Sequence, residues 1–291
     1  MGDTSILFEP SALAVLLNEH ALDDFKLFVS SLKTWNTSIP PLFIYCTKTV
    51  DLWLRTNCSI RYISKVALEP YANLTRKDME TRPSKRGLPN LFYDFTQEKC
   101  DLVAWALRET TNEGGVLFCD ADLYWLAPIP KLPKGKTLGL SRHMIRDNDE
   151  AKFGTYNAGL LWTSNPAIPE LWREACKTSR FFEQAALETL ADKTDDDKLH
   201  LFGIECNYGW WRMYQSSYSL ERQQADWSIH RDPDQRHSGI LVKGVPLVCI
   251  HTHFKTTDYV TAEFNKYIIR KLNLLKSQSK VKFLLKEIGP L

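Results

Sequence analysis

Apolar and polar positions fall into alternating blocks along the first hundred residues. SALAVLLN (11–18) is a short apolar run closed by a polar residue, the pattern of a buried strand. LDDFKLFVSSLKTW (22–35) follows, with Phe25, Phe28, Val29 and Leu32 at helical spacing. Ser38, Pro40 and Pro41 break the chain, and LFIYC (42–46) predicts a second buried strand. A helix over 49–56 then leads to a third strand, IRYISKV (60–66). This β-α-β-α-β order predicts an α/β fold with a Rossmann-like, doubly wound, mostly parallel sheet and right-handed crossovers. Ligands of such sheets bind beyond the carboxyl ends of the strands, so Leu17, Asn18 and Thr47 mark a candidate pocket.

RKDMETRPSKRGLPN (76–90) is polar, basic and too long for a tight connection; it predicts either a disordered loop or a substrate lid. FTQEKCDLVAWALRETTNEGG (95–115) predicts a helix with a Gly-rich stop, feeding the strand VLFC (116–119). No internal repeat or linker divides the chain. We expect one elaborated domain over 1–260, with a basic helical extension (261–291) packed on it. In that extension Phe264, Tyr267, Ile268, Leu272 and Leu275 recur at helical spacing. MIRDNDEAKFG (144–154) predicts a mobile loop, and Thr194–Asp197 a solvated one.

The chemistry concentrates after VLFC. In an extended segment Asp120 and Asp122 share a face while Ala121 points away. Two carboxylates so close repel unless a cation relieves them, and a hard divalent ion such as Mg²⁺ or Mn²⁺ with phosphate oxygens suits them. LVCIHTHFK (247–255) reads as a strand that brings His251 and His253 to one face, with Lys255 following as a cation. Two histidines alone suit zinc equally well; the carboxylates favour oxygen-rich coordination. Asn157, among the small residues of TYNAGLLWTSNP (155–166), lets backbone approach a ligand and offers both donor and acceptor. Arg142 and His143 close the preceding strand. Trp210 and Trp211 suit either core packing or a sugar face, and Asp226 and Asp258 are candidate bases of an inverting enzyme.

The ordered set of DAD after an apolar strand, LYWL-Pro, TYNAGLLWTSNP and a late His-rich segment with Lys resembles the GT-A glycosyltransferases, the DxD-containing nucleotide-diphosphosugar transferases. Lys99 and Trp105 in the preceding helix are similar too. The resemblance covers roughly residues 11–258 and lies nearest the retaining glycogenin and galactosyltransferase type. IHTHFKTTDY departs from that type's longer His-x-x-Gly-x-x-Lys-Pro-Trp ending. The resemblance implies sugar transfer from a nucleotide diphosphate, UDP foremost, to a glycan or other hydroxyl acceptor, with Mn²⁺ or Mg²⁺ as cofactor. It implies that Asp122 binds the metal, that Asp120 contacts metal and ribose, and that His251 or His253 is the third ligand. Lys255 and Lys99 add charge at the diphosphate, Asn157 faces the sugar or acceptor, and Glu205 is the acidic residue near the anomeric carbon. A sugar nucleotidyltransferase and a non-catalytic nucleotide-sugar or carbohydrate-binding module are the alternatives; the first would want a Gly-rich basic loop where this chain has NEHALDDF.

The totals narrow the setting. Of 291 residues 44% are hydrophobic and 25% charged, ordinary for a folded chain, and the net charge of +2 gives no global case for nucleic acid. Charge is uneven: residues 261–291 hold seven Lys or Arg against Glu263 and Glu287. That +5 leaves −3 on the rest, and the basic helix is a candidate for docking on an anionic membrane. Seven dispersed cysteines argue against a disulfide framework. With no secretory leader pattern, and with Ile6 breaking a myristoylation motif, we expect a cytoplasmic protein and read the sequons at Asn36, Asn57 and Asn73 as chance.

Overall fold

The structure, a computed structural model, describes residues 6–110 and 114–290. Most of the 1–6 stretch read for myristoylation and the 111–113 part of the expected 95–115 helix lie outside them. A seven-stranded sheet runs, in spatial order, Leu199–Phe202, Leu138–Arg142, Tyr156–Thr163, Val116–Cys119, Ala12–Leu17, Leu42–Cys46 and Tyr62–Val66. Neighbours pair in parallel except Tyr156–Thr163, which is antiparallel to both of its partners. The doubly wound α/β expectation holds, with one reversed strand near the middle.

Both faces of this sheet are covered, which is why its central strands show no alternation in sequence. Leu13, Val15 and Leu17 face one apolar cluster, and Ala12, Ala14 and Leu16 face the other. The Leu22–Trp35 helix packs into the first cluster through Phe25, Phe28 and Leu32. The Leu91–Glu109 helix packs into the second through Cys100, Val103 and Ala106. Each fully buried Leu or Phe contributes roughly 1.5–3 kcal/mol. The C-terminal helices Tyr259–Leu274 and Ser279–Ile288 enter the first cluster with Phe264, Ile268, Leu272, Val281 and Leu284. Among the described residues no helix is long and apolar enough to cross a membrane.

Three local expectations are corrected. The basic stretch 76–90 is ordered, which removes the disordered-loop alternative and leaves the other untouched: Thr75 and Asp78 form a capping box over a short Arg76–Glu80 helix. Buried Asp94 then pins the following turn by accepting from Ser84 Oγ and from the Lys85 amide. The presumed loop 144–154 contains a helix, Asp147–Phe153, whose first turn holds Asp147, Asp149 and Glu150 where the N-terminal amides favour negative charge. The late strand covers only Cys249–His251, so His253 lies beyond it and strand alternation does not place the two imidazoles together.

A second, three-stranded sheet completes the architecture. Cys249–His251 is its centre, parallel to Tyr208–Gly209 and antiparallel to Leu123–Trp125. This sheet sets His251 opposite Leu123, directly after the two aspartates.

Candidate active site

The Val116–Cys119 strand ends where the Asp120 amide donates to Gly159 O at 2.9 Å. Asp120–Leu123 is a turn, closed by the Leu123 amide on Asp120 O at 3.2 Å, and not the extended segment expected. The turn aims both carboxylates into the space that the second sheet gives to His251. The Thr252 amide locks that meeting by donating to Asp122 O at 3.0 Å.

Asp120, Asp122 and His251 each offer one ligand atom, all within 4.8 Å of one another. Nε2 of His251 lies 3.0 Å from Asp122 Oδ2 and 3.9 Å from Asp120 Oδ2. Its Nδ1 faces Asn207 Oδ1 at 2.9 Å. An amide oxygen only accepts, so Nδ1 carries a hydrogen, and Nε2 is the ring nitrogen turned toward the two carboxylates. Two carboxylates facing one another call for positive charge between them, and two carboxylates with one imidazole suit a divalent metal. These residues fit the metal that the fold family implies.

Room for the imidazole comes from Gly159. A Cβ there would stand 2.3 Å from His251 Cε1 and 2.6 Å from Nδ1. The surrounding strand is bulged: Leu140 opposes Leu161 but Ser141 already opposes Asn157, so Ala158, Gly159 and Leu160 fall in the shift. Trp211 closes the other side, its ring edge-on to His251 at 5.0 Å.

The charges around the centre are arranged in two arms. Lys99, buried, lies 3.0 Å from Asp120 Oδ1 and 2.8 Å from Glu183 Oε1. Burial opposes its charge, but the two carboxylates outweigh that and hold its pKa above the usual lysine value. For Asp120 burial wins and the pKa rises, although Lys99 and His251 oppose it. Burial pushes Asp122 up as well, yet the charges of His251 and His253 overcome it and hold this carboxyl below its ordinary range. The second arm is His253, whose Nδ1 lies 2.7 Å from Asp24 Oδ2 and Nε2 3.2 Å from Asp122 Oδ2. Those carboxylates raise its pKa to about 9, so it stands there as an imidazolium. The structure groups His251, rather than His253, with both aspartates.

These groups line a cleft of about 410 Å³ at the carboxyl ends of the central strands. Asn18, Lys99, Asn157 and Trp211 of the sequence candidates are in it. Asn157 nonetheless has its amide committed inside the protein, to Gly159 N, Asn207, His143 and Gln184. Leu17 is buried in the core, and Leu16 takes its place at the cleft wall. Thr47 is buried outside the cleft, capping the Lys48–Asn57 helix and bonded to Glu19. Lys255 is exposed outside the lining and lowers the pKa of Asp23, behind the Lys26 contacts in size.

The three carboxylates proposed for catalysis stand elsewhere. The Glu205 carbonyl anchors the late strand through the Val248 and Cys249 amides, outside the cleft lining. Asp226 lies 3.6 Å from Lys243, and Asp258 caps the Tyr259–Leu274 helix through the Thr261 amide and hydroxyl. The carboxylate that does line the cleft is Glu183, followed by Gln184, at the start of the Phe182–Asp192 helix. Its sequence signal was an adjacent acid–amide pair after two phenylalanines. Phe182, just before that pair, takes a positive φ of 44°.

No family model and no curated protein matches the chain, whereas 79 chains of solved structures do. The galactosyltransferase LgtC, solved with donor and acceptor sugar analogs, superimposes with a TM-score of 0.50 at 13% identity, covering 92% of this chain and 96% of that one. The chain has the GT-A fold. The glycosyltransferase GlyE of Streptococcus pneumoniae TIGR4 superimposes equally, with a TM-score of 0.50 at 14% identity over 93% of this chain and 64% of GlyE.

Proposed function

We propose that this chain is a metal-dependent glycosyltransferase that moves a sugar from a nucleotide diphosphate, UDP foremost, to a hydroxyl of a glycan or other acceptor, with retention at the anomeric carbon. The observation that carries the reading is the convergence of Asp120, Asp122 and Nε2 of His251 in one cleft. These three residues would hold Mn²⁺ or Mg²⁺. Bound there, the metal supplies Lewis-acid charge to the diphosphate oxygens as they leave. Lys99 fixes Asp120 and Glu183 relative to each other, so the metal-side and sugar-side carboxylates move as one unit. Glu183 orients sugar hydroxyls and opposes the positive charge that develops at the anomeric carbon. Gln184, held by Phe153 O and by Asn157, sets the adjoining wall. A cytoplasmic setting belongs to the proposal and draws on the seven unpaired cysteines.

A thermal-shift panel of nucleotide sugars with and without Mn²⁺ tests it, because a ligand bound only by the native state raises the melting temperature. A rise for a UDP-sugar only with metal, followed by transfer and an NMR-determined anomeric configuration, supports the full reading. Turnover of a nucleoside triphosphate with a sugar 1-phosphate would favour a nucleotidyltransferase. Donor binding without hydrolysis or transfer would leave a binding module.

Peripheral membrane contact is a separable part of the proposal. The Ser279–Ile288 helix exposes Phe283 between Lys282 and Lys286, and Leu274 is exposed on the preceding helix. Co-sedimentation with anionic but not neutral liposomes at low salt is expected, and no binding to either ends this part.

A further inference from the structure

One backbone amide sets the direction of a hydrogen-bonded relay that ends at the metal centre. The Gly159 N–H can only donate, and it donates to Asn157 Oδ1 at 2.9 Å. That anchor fixes which end of the Asn157 amide is oxygen, independently of the side chains around it. Asn157 Nδ2 therefore faces His143 Nε2 at 3.2 Å and Gln184 Oε1 at 3.1 Å. His143 is left with its hydrogen on Nδ1, where Gly154 O accepts it at 2.7 Å. On the other side Asn157 Oδ1 accepts Asn207 Nδ2 at 2.9 Å, which turns Asn207 Oδ1 toward His251 Nδ1. Every member of the chain uses its donor and acceptor in one consistent sense.

We propose that Asn207 is a positioning residue of the metal centre: it holds the His251 imidazole with hydrogen on Nδ1, so that the Nε2 lone pair is presented between Asp120 and Asp122. The inference rests on the reading of those three residues as a metal site. Asn207 is fully buried and its backbone sits in the left-handed region at φ 55°, which asparagine tolerates better than most residues. It precedes the Tyr208–Gly209 strand, which pairs in parallel with Ile250 and His251, so the amide reaches the ring from the adjacent strand. Aspartate would keep an acceptor for Nδ1 but lose the donor to Asn157 Oδ1. Glycine keeps the backbone conformation and removes the amide.

The test measures Mn²⁺ affinity by electron paramagnetic resonance of the free ion, without any nucleotide sugar, on the native protein, Asn207→Gly and Asn207→Asp, each checked for folding by circular dichroism. Asn207→Gly is expected to bind about 10–100-fold more weakly, and Asn207→Asp to lose less than that. Native affinity in Asn207→Gly overturns the positioning role while leaving the metal site standing. A native protein that binds no Mn²⁺ overturns the metal reading itself. ¹⁵N NMR of histidine-labelled, Mg²⁺-loaded native protein decides the point without a variant. Hydrogen on Nδ1 of His251, assigned by its loss in His251→Gln, supports the inference, and hydrogen on Nε2 overturns it.

Discussion

The Lys99 ammonium lies 3.0 Å from Asp120 Oδ1, with both side chains largely withdrawn from solvent. Glu183 shares the same ammonium at 2.8 Å, so one cation supports two carboxylates of the cleft. Removing it strands both. Lys99→Met is expected to cost about 3–5 kcal/mol of unfolding free energy, since a buried pair that loses one partner leaves an uncompensated charge. Urea denaturation at neutral pH checks this, and a loss under about 1 kcal/mol would show that solvent already screens the triad.

Gly159 resists replacement for a geometrical reason. In Gly159→Ala the new methyl would meet the His251 ring at 2.3 Å, far inside van der Waals contact. The ring must shift from its place beside Asp122, so Mn²⁺ affinity should fall about as far as on loss of a supporting residue, about 10–100-fold. Overpacking should cost about 1–3 kcal/mol of stability. Calorimetric Mn²⁺ titration and a thermal melt of the same sample separate the two effects.

Two histidines give the stability opposite pH dependences. Burial depresses His143 to about 4, with Arg212 and His251 adding to it against the Gly154 hydrogen bond. Its neutral form is the one the fold accepts. That contribution is complete above the unfolded value near pH 6.5 and is lost as pH falls toward 4, up to about 3 kcal/mol. His143→Gln should flatten the stability curve in that window, and an unchanged slope would contradict the assignment.

His253 behaves in the reverse sense. The Asp122 charge and then the Asp24 hydrogen bond raise it to about 9, and its stabilisation of the metal-free protein is present below pH 6.5 and lost as pH rises through 9. Its side chain is 60% exposed, so water screens part of this. A metal bound to Asp122 displaces that need for positive charge. Mn²⁺ binding should therefore release protons between pH 6.5 and 9, seen as a buffer-dependent calorimetric enthalpy. Identical heats in buffers of different ionisation enthalpy would contradict it.

The scaffold was legible where one physical signal dominates. Phe25, Phe28, Val29 and Leu32 predict the Leu22–Trp35 helix, and LFIYC predicts the Leu42–Cys46 strand, because burial on a fixed face imposes the period. The Asp147–Phe153 helix was not, since its residues are all outside the core and only its acidic first turn marks it. The meeting of Asp122 with His251 depends on an antiparallel pairing of distant strands, Leu123 with His251 at its end, 128 residues apart, and the motif alone left two histidines open. Glu183 lines the cleft and Glu205 does not, and chain order carries no record of which helix start turns toward it. Lys99, whose charge ties Glu183 to Asp120, is what brings the two carboxylates together.

The measurement that bears most directly on the central claim is Mn²⁺ binding and UDP-sugar turnover in the native protein and in Asp122→Ala. Asp122 is the residue that both histidine arms and the Thr252 amide converge on. The account predicts saturable Mn²⁺ binding in the native protein, its loss in Asp122→Ala, and a fall in turnover of at least about a hundredfold with the fold intact. Native Mn²⁺ affinity and full turnover in Asp122→Ala would contradict it.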